Sequence, residues 1–481
     1  MNPLPLARIA QWSGGHLQGG DMPIDTVVTD TRAIAPGDGR SALFVALKGE
    51  RFDGHDHVAH AGELGVRAAL VSRLVDSPLP QVLVADTQRA LASLAAAMQH
   101  ARTGKVVAVT GSNGKTSVKT LLLSILQRAG KAYANPGNRN NEIGLPLAVI
   151  DAPDDADFAV YEMGAGKPGD IAYLTAVARP DVALVNNVAP AHLERMGSLL
   201  GVADTKAAIY DALPADGVAV INADDAFAPY FAERAHGRRL LRFGLDAQAD
   251  VSARDLRFAE DGMRFVLTAP EGEREAMVPM PGRHSVANAL AAASLALACG
   301  VGLEDIVAGL RDAQPVAGRL VRHRLPGDVL LVDDSYNANP GSLNAAVDTL
   351  AAAAGEAWLV LGDMRELGAD AQSLHEQAGR RAKEAGIARL YALGALSAAA
   401  ATAFGEGGRV FDSHAVLADA LRADIAVFAA PSIASRDEKV AAEAATAHAA
   451  RLQVLVKGSR GSAMDRVVTA LLTNVEAAHA A

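Results

Sequence analysis

A short apolar segment, a glycine-containing loop and a helical pattern follow one another without interruption between residues 106 and 126. Val106–Thr110 is rich in β-branched residues and predicts a buried strand, while the apolar spacing over Val118–Leu126 predicts a helix. Between them lies the loop Gly111-Ser112-Asn113-Gly114-Lys115-Thr116-Ser117. A strand that runs through such a loop directly into a helix is typical of an α/β domain built on a parallel sheet.

This loop has the residue types that bind a polyphosphate. Its glycines let backbone N–H groups turn inward, and the N-terminus of the following helix adds a partial positive charge. Lys115 can reach the β- and γ-phosphates, and the Thr116 hydroxyl can coordinate Mg²⁺. The spacing differs from the common eight-residue loop, because Val109 stands where the first glycine would be. A structural turn is the alternative, but the flanking strand and helix favour a nucleoside-triphosphate site.

Length and composition limit the classes of protein that this chain can represent. At 481 residues, two to four domains are expected from roughly 150 residues per domain. The net charge is −10 and only 4% of the residues are aromatic, so nucleic acid is not an expected partner. Cys299 is the single cysteine, which excludes a disulfide within the chain. No uninterrupted apolar run reaches ~18 residues and no secretion signal is recognisable, so we expect a cytoplasmic protein without a membrane span.

The sequence divides into three units, residues 1–103, 104–314 and 315–481. Each unit combines strand-like and helical segments. The strand patterns are Thr26–Val28, Ala42–Leu47, Ala68–Val71 and Val82–Ala85 in the first unit, Val106–Thr110, Phe158–Met163, Val182–Asn186 and Val218–Asn222 in the second, and Val329–Asp333, Ala357–Leu361, Arg389–Leu393 and Leu452–Val456 in the third. Helical patterns between the strands of the second unit predict a parallel sheet covered on both faces, and the third unit repeats this rhythm. Alternating residues over Leu240–Met280 predict an antiparallel excursion, and Ala441–Ala450 predicts a helix.

Three side chains that follow predicted strands could take part in metal binding. Glu162 ends a strand ahead of glycines, where a carboxylate suits a Mg²⁺ ligand near phosphates, although a solvated strand-end glutamate is the alternative. His192 follows the strand end at Asn186-Asn187, and a structural role is the more common explanation for a lone histidine there. Lys206, taken alone, fits a surface lysine on a helix.

Two further clusters could contact a nucleotide. His284 and Asn288 are spaced i and i+4 and share one helix face. Because an unpaired buried amide costs about 1–3 kcal/mol, Asn288 needs a partner, which an adenine edge or a backbone bond would supply. The polar string Asp333–Pro340 follows a strand and could hold ribose hydroxyls or cap a helix. Lys457–Gly461 could form a glycine-lined anion site or a structural turn.

As a set, these motifs resemble those of the Mur ligases, the ATP-dependent amide-forming enzymes of peptidoglycan precursor synthesis. The matching residues run through all three units and are Thr29–Arg32, Leu43–Gly49, Asp53–Asp56, Thr110–Ser117, Asn138–Pro146, Tyr161–Ala165, Asn187–Glu194, His284, Asn288, Gly318–Arg319, Asp333–Pro340, Leu361–Met364, Glu366–Gly368 and Lys457–Arg460. The strings Asp333–Pro340 and Leu361–Met364 are the most specific. Within the family they indicate the type that joins D-alanyl-D-alanine to UDP-N-acetylmuramoyl-tripeptide.

The resemblance implies a three-domain α/β fold. A small N-terminal α/β domain precedes a central P-loop-type, mostly parallel sheet with helices on both faces, and a Rossmann-like α/β domain is C-terminal. Residues 1–103 would bind the UDP-sugar peptide, residues 104–314 would bind ATP, and residues 315–481 would bind D-alanyl-D-alanine. The resemblance also implies a cytoplasmic monomer that uses ATP and two Mg²⁺ ions.

The resemblance further implies roles for individual residues. Thr116 and Glu162 would hold one Mg²⁺ ion and His192 the second. Lys206 falls where relatives carry a carbamylated lysine, and that modification would turn the cation into a metal-binding carboxylate. The catalytic set would be Lys115, His192, Lys206 and Arg319, and the ATP-binding set would be Gly111–Ser117, Asn288 at the adenine, Arg319 at the γ-phosphate and Asp334 at the ribose. The substrate contacts would be Asp30, Thr31, Arg32, Asn138, Asn140, Asn141, Tyr336 and Asn337.

The chain departs from the family pattern at several positions, none of which removes a proposed phosphate or metal ligand. Gly39–Ser41 resembles an insertion, Arg195-Met196 replaces a small and aromatic pair, Asp465 replaces a glutamate, and the chain is longer around Arg436–Ala450.

Two other functions stay open. One is another amide ligase of the superfamily, such as a sister Mur ligase or a folylpolyglutamate synthase, and the other is a P-loop NTPase switch. The many motifs outside the phosphate loop favour a ligase.

Overall fold

The computed structural model describes residues 1–34, 39–190, 193–259, 261–430 and 451–479. In these ranges each β-sheet takes all its strands from one of the three predicted units. The three-part α/β fold predicted from the sequence is confirmed, whereas the boundaries at residues 103 and 314 stay predictions. The predicted helix at Ala441–Ala450 lies outside the described residues.

The first unit contains a five-stranded mixed sheet and a short antiparallel pair. The sheet order is His16–Gln18, Gln81–Leu83, Ala68–Val71, Ala42–Val45 and Thr26–Val28, and the pair is Leu4–Pro5 with Pro23–Ile24. Only the pairing at the His16–Gln18 edge of the sheet is antiparallel. The helices are Leu6–Ser13, Val58–Glu63 and Thr87–His100, with 3₁₀ turns at Thr31–Ala33 and Gly54–His57.

The second unit is built on a six-stranded sheet in which every pairing is parallel. Its order is Arg239–Phe243, Val218–Asn222, Val182–Val185, Lys105–Thr110, Phe158–Glu162 and Ala132–Ala134. The helices are Lys115–Ala129, Gly144–Asp151, Asp170–Ala178, Leu193–Met196, Leu199–Asp211, Ala228–Arg234, Arg283–Ala298 and Leu303–Asp312. The phosphate-loop strand thus lies inside the sheet, where its apolar side chains are buried on both faces.

The predicted antiparallel excursion begins later than the sequence suggested. The strands Ser252–Ala259, Gly262–Ala269 and Gly272–Val278 form an antiparallel three-stranded sheet. Residues 240–243, which the alternation had included, instead belong to Arg239–Phe243 at the edge of the parallel sheet. An edge strand with one solvated face alternates apolar and polar residues just as a strand of an antiparallel sheet does, so the pattern could not separate the two.

The third unit is a six-stranded sheet with one antiparallel edge pairing. Its order is Val321–Leu325, Val329–Asp334, Leu452–Lys457, Glu356–Gly362, Arg389–Leu393 and Gly408–Phe411. The helices are Pro340–Ala351, Ala371–Glu384, Ala395–Phe404, His414–Ala429 and Asp465–His479, with 3₁₀ turns at Gly368–Asp370 and Arg460–Ser462. No helix among the described residues is both long enough and apolar enough to cross a membrane.

The helix that follows the phosphate loop is held between the central sheet and two other helices. Leu121, Leu122 and Ile125 on this helix are fully buried and join one core with residues of Arg283–Ala298 and Leu303–Asp312. The closest approach is at Gly309, whose carbonyl oxygen accepts a hydrogen bond from Ser124 Oγ at 2.7 Å. Only a residue without a side chain fits there, which fixes the position of the helix relative to its neighbours.

Gly309→Ala should lower the free energy of unfolding by about 1–3 kcal/mol, even though alanine is the better helix former. A Cβ atom at this position would lie 2.5 Å from Ile125 Cα, and backbone cannot move aside cheaply. Urea denaturation measures the effect. Gly20→Ala is the matched control, since no atom lies within 4 Å of its Cβ. Equal stabilities of the two variants would contradict the packing described.

Candidate active site

A cavity of about 690 Å³ lies between the second and third units. It is lined on one side by the phosphate loop and the carboxyl ends of the central strands. The other side is formed by residues 318–320 and 334–346 and by Lys457. Ligands of parallel α/β sheets bind in this position, beyond the carboxyl ends of the strands.

The phosphate loop has the geometry that its glycines predict. Gly111 and Gly114 have positive φ angles of 147° and 79°. A Cβ atom at Gly114 would lie 2.4 Å from Asn288 Oδ1 and 2.6 Å from Asn186 Nδ2, so no larger residue fits. Lys115 begins the helix Lys115–Ala129, and its ammonium group donates to the carbonyl oxygen of Gly111 at 2.7 Å. The lysine thus folds back over the loop that would hold the phosphates.

Thr116 and Glu162, the predicted Mg²⁺ ligands, are directly bonded to each other. Thr116 Oγ1 donates to Glu162 Oε2 at 2.9 Å, and Asn140 Nδ2 donates to Glu162 Oε1 at 2.8 Å. Burial by itself would raise the pKa of Glu162, but the charges of Lys119 and Lys115, together with these hydrogen bonds, hold it below its usual value. The carboxylate is therefore ionised and ready to bind a cation.

Lys119 is a site residue that the sequence analysis missed. Its side chain is buried, and Nζ lies 3.3 Å from Glu162 Oε2 while donating to the carbonyl oxygens of Asn135 and Gly137 at 2.9 and 3.0 Å. It lies one helical turn after Lys115, on the same face, and that i+4 spacing is the signal that could have revealed it. Lys119 connects the Glu162 carboxylate to the loop that follows the strand Ala132–Ala134.

Lys206 is not the surface lysine that its sequence context suggests. It lies in the helix Leu199–Asp211 with only 2% of its area exposed, and it lines the cavity. Burial, and to a smaller extent the charge of Lys115, lower the pKa of Lys206 to about 7. The pKa of Lys115 is also lowered, mainly by desolvation. His192, predicted to hold a second Mg²⁺ ion, lies outside the described residues.

The end of the cavity lined by the helix Arg283–Ala298 is the candidate site for a nucleobase. His284 and Asn288 share one face of the helix Arg283–Ala298, as predicted, and both line the cavity. Asn288 finds its partner in Asn186, whose Nδ2 donates to Asn288 Oδ1 at 3.1 Å, rather than in a backbone group. Phe243 and Met280 add apolar surface to this end. The Nδ2 group of Asn288 is thus the part of that amide still available for a base edge.

The third unit contributes cations and a carboxylate to the same cavity. Lys457 Nζ donates to Asp334 Oδ2 at 2.6 Å and to the carbonyl oxygen of Asn337 at 3.0 Å. The guanidinium of Arg319 lies 4.4 Å from the ring centre of Tyr336. Arg319 Nε is buried and has no hydrogen-bond partner among the residues that the structure describes. An unpaired buried donor at a cavity wall is expected where an anion binds.

The predicted substrate contacts fall into two places, and Tyr336 and Asn337 are among those that line the cavity. Asn138, Asn140 and Asn141 line the cavity, although Asn140 is occupied with Glu162 and Asn141 Oδ1 accepts from the N–H of Gly144 at 2.8 Å. Asp30 caps the 3₁₀ turn Thr31–Ala33 of the first unit, and none of residues 30–32 lines this cavity. There Arg32 pairs with Asp30 at 2.6 Å, and this hydrogen bonding lowers the pKa of Asp30 to about 2.

The residues present fit a nucleoside triphosphate with Mg²⁺. The Thr116 hydroxyl and the Glu162 carboxylate supply the oxygen ligands that Mg²⁺ prefers. Lysine and arginine side chains outnumber carboxylates around them, as a polyphosphate requires. Within the described ranges, no group of three or more His, Cys, Asp or Glu side chains could hold a metal ion by itself.

Comparisons with known proteins show the family to which this chain belongs. Residues 109–296 match the Mur ligase middle domain, and residues 318–460 match the Mur ligase, glutamate ligase domain. The UDP-N-acetylmuramoyl-tripeptide–D-alanyl-D-alanine ligase of Escherichia coli (strain K12) is 42% identical over 98% of this chain and 99% of its own length. The chain belongs to the Mur ligase family of ATP-dependent amide ligases.

Solved structures with the same fold are also similar over their whole length. MurF from Acinetobacter baumannii matches with a TM-score of 0.89 and 33% identity, covering 98% of this chain and 99% of that one. The MurF ligase from Thermotoga maritima in complex with ADP has a TM-score of 0.77 and 28% identity, covering 94% of this chain and 98% of that one. Both are ligases of the type that the strings Asp333–Pro340 and Leu361–Met364 indicate.

Lys119→Met should lower the free energy of unfolding by about 3 kcal/mol, because it leaves the buried Glu162 carboxylate without its nearest counter-charge. Denaturant titration at neutral pH gives the value. Lys131→Met is the matched control, since its ion pair with Asp155 is on the surface and should contribute little. If the two variants were equally stable, the assignment of Lys119 as the internal partner of Glu162 would be wrong.

Proposed function

We propose that this chain joins D-alanyl-D-alanine to UDP-N-acetylmuramoyl-tripeptide at the cost of ATP, in peptidoglycan precursor synthesis. The observation that carries the proposal is the cavity where the phosphate loop and the Thr116–Glu162 pair meet Arg319 and Lys457 of the third unit. The full-length similarity to D-alanyl-D-alanine-adding ligases supports the choice of substrates. The reaction would take place in the cytoplasm, with the chain acting as a monomer.

The chemistry begins with activation of a carboxylate. A carboxylate oxygen of the tripeptide attacks the γ-phosphorus of ATP, the bond to the β–γ bridging oxygen breaks, and ADP leaves. The amine of D-alanyl-D-alanine then attacks the acyl carbon, and inorganic phosphate leaves with the electron pair of the C–O bond. The amine loses a proton on forming the amide. No residue of the enzyme becomes covalently attached in this sequence.

The residues of the chain would act mainly through charge and position. Lys115 and Arg319 would neutralise the phosphoryl group during its transfer between two anions. Thr116 and Glu162 would hold a Mg²⁺ ion, which supplies further positive charge at the phosphates. Asn288 would contact the adenine, and Asp334 the ribose. Closure of the third unit over the second would keep water from the acyl phosphate.

We assign the remaining substrates by unit. The first unit, with Asp30, Thr31 and Arg32, would bind the UDP-sugar peptide. The third unit would bind D-alanyl-D-alanine, with Tyr336 and Asn337 close to it. Asn138, Asn140 and Asn141 would lie beside the tripeptide carboxylate, where the metal-binding Glu162 is fixed by Asn140.

Release of ADP tests the function directly. The purified chain should release ADP rapidly only when UDP-N-acetylmuramoyl-tripeptide and D-alanyl-D-alanine are both present, with one amide formed per ADP. Lys115→Ala should lower kcat by roughly 10²–10³-fold or more, whereas Lys131→Ala at the surface should not. ADP release that needs neither substrate would instead support an NTPase switch, and amide formation with another acceptor would support a sister ligase.

A second Mg²⁺ ion would require a modified Lys206. With its pKa lowered to about 7, a large fraction of this amine is neutral at physiological pH, and the neutral amine is the form that adds to CO₂. The resulting carbamate would add an anionic oxygen ligand to the wall of the cavity. We propose that this carbamate, together with His192, holds the second ion.

Lys206→Ala should lose most of its activity and regain part of it when short carboxylic acids are added, because they can replace the missing carbamate. Removal of CO₂ and bicarbonate should also lower the activity of the wild-type chain, because its Lys206 could no longer form the carbamate. Lys115→Ala is the control, since its defect should not respond to carboxylic acids. Wild-type activity of Lys206→Ala would exclude a carbamate from the reaction.

A further inference from the structure

A chain of amide side chains connects the phosphate loop to the third unit. Asn339 Nδ2 donates to Asn113 Oδ1 at 2.7 Å, across the joint between the second and third units. Asn113 lies in the phosphate loop between Ser112 and Gly114, and Asn339 is buried, with 8% of its area exposed. This contact is separate from the Mg²⁺ ligands and from the proposed phosphate-binding cations.

The orientation of the Asn339 amide is fixed by its own helix. Asn339 is the N-cap of the helix Pro340–Ala351, and its Oδ1 accepts from the N–H of Ser342 at 2.9 Å. Ser342 Oγ in turn accepts from the N–H of Asn339 at 3.0 Å, which completes a capping box. Because the cap uses the oxygen of the amide, only the NH₂ group can face the second unit. Asn113 must therefore present an oxygen.

The backbone of Asn113 is held from the opposite side by two asparagines at a strand end. Its N–H donates to Asn187 Oδ1 at 2.8 Å, and its carbonyl oxygen accepts from Asn186 Nδ2 at 3.0 Å. Asn186 Nδ2 also donates to Asn288 Oδ1 in the proposed adenine site. One set of hydrogen bonds thus runs from the base end of the cavity, through the phosphate loop, to the third unit.

The packing at the joint leaves little freedom for this contact. A Cβ atom at Gly341 would lie 3.2 Å from Ala189 Cβ and 3.3 Å from Asn113 Nδ2. The first turn of the helix Pro340–Ala351 therefore lies directly against the loop. Arg319 and Asp334 belong to the same unit as this helix, so docking of the helix also brings them to the cavity.

We propose that Asn339 is a positioning residue whose bond to Asn113 couples docking of the third unit to the conformation of the phosphate loop. When the loop turns the amide oxygen of Asn113 outward, the third unit docks against it, and Arg319 then lies beside the phosphates. A loop in another conformation presents no acceptor, and the third unit docks less often. This inference rests on the proposed ligase function and names a residue that selects the catalytically competent arrangement.

Asn339→Ser separates this role from helix capping. Serine caps helices about as well as asparagine, but its side chain is too short to reach Asn113. A buried hydrogen bond of ordinary strength shifts an equilibrium by roughly 2- to 12-fold. We expect kcat to fall by that factor, with an unchanged KM for the UDP-sugar peptide and an unchanged unfolding midpoint. In small-angle scattering with Mg²⁺ and ADP, Asn339→Ser should have a larger radius of gyration than the wild-type chain.

Two controls make the test specific. Ser413→Asn exchanges the same two residue types at the N-cap of His414–Ala429, far from the cavity, and should change neither kcat nor the radius of gyration. In a double-mutant cycle, adding Asn339→Ser to Asn113→Ser should cause no further loss, because the bond is already absent. If Asn339→Ser proves unstable, Asn339→Thr, which also caps, replaces it.

The outcomes distinguish the two proposals. An unmodified chain that forms no amide would overturn the proposed function. An active chain in which Asn339→Ser has wild-type kcat and radius of gyration would overturn the coupling and leave the function intact. Multiplicative losses in the double-mutant cycle would also overturn it, since they would show that the two asparagines act independently.

Discussion

Unbalanced positive charge at the floor of the cavity is the constraint on which the rest of this structure depends. One ionised carboxylate, Glu162, faces the charges of Lys119 and Lys115, and Lys206 lines the same cavity. Repulsion is visible in the lowered pKa values of Lys115 and Lys206, each of which is reduced by desolvation and by a neighbouring cation. A polyphosphate would relieve this repulsion, because its negative charge would interact favourably with Lys115 and Arg319 alike.

The fold stabilises this costly arrangement by using backbone groups and amides instead of further acidic side chains. Lys119 donates to two carbonyl oxygens, and Asn135 fixes the backbone of Glu162 by accepting from its N–H at 2.8 Å and donating to its carbonyl oxygen at 3.1 Å. Neutral partners orient the charged groups without cancelling their charge. The surrounding apolar core, in which Leu121 and Ile125 are fully buried, keeps the loop helix in place. Net positive charge thereby remains available for the nucleotide.

Much of this could be predicted from sequence, because local patterns determine the elements. The strand before the phosphate loop, its glycines and its helix all lie where the spacing placed them, within one to three residues. Long-range relations were harder to predict. Lys206 has the sequence context of a surface lysine and is buried because a helix packs its face against the sheet. Asn288 pairs with a residue 102 positions away, which no local pattern can indicate.

A nucleotide site shared between two units has a physical advantage for a reaction with a labile intermediate. An acyl phosphate survives only where water is excluded, yet both substrates must enter first. Arg319 already lowers the pKa of Lys115 in the assembled cavity, so a bound polyphosphate would offset a repulsion between the two units. The proposed role of the bond between Asn339 and Asn113 is to make assembly of the site depend on loop geometry as well as on charge. A bound anion would attract the cations of the third unit, whereas hydrogen-bond direction would decide whether that unit docks in register.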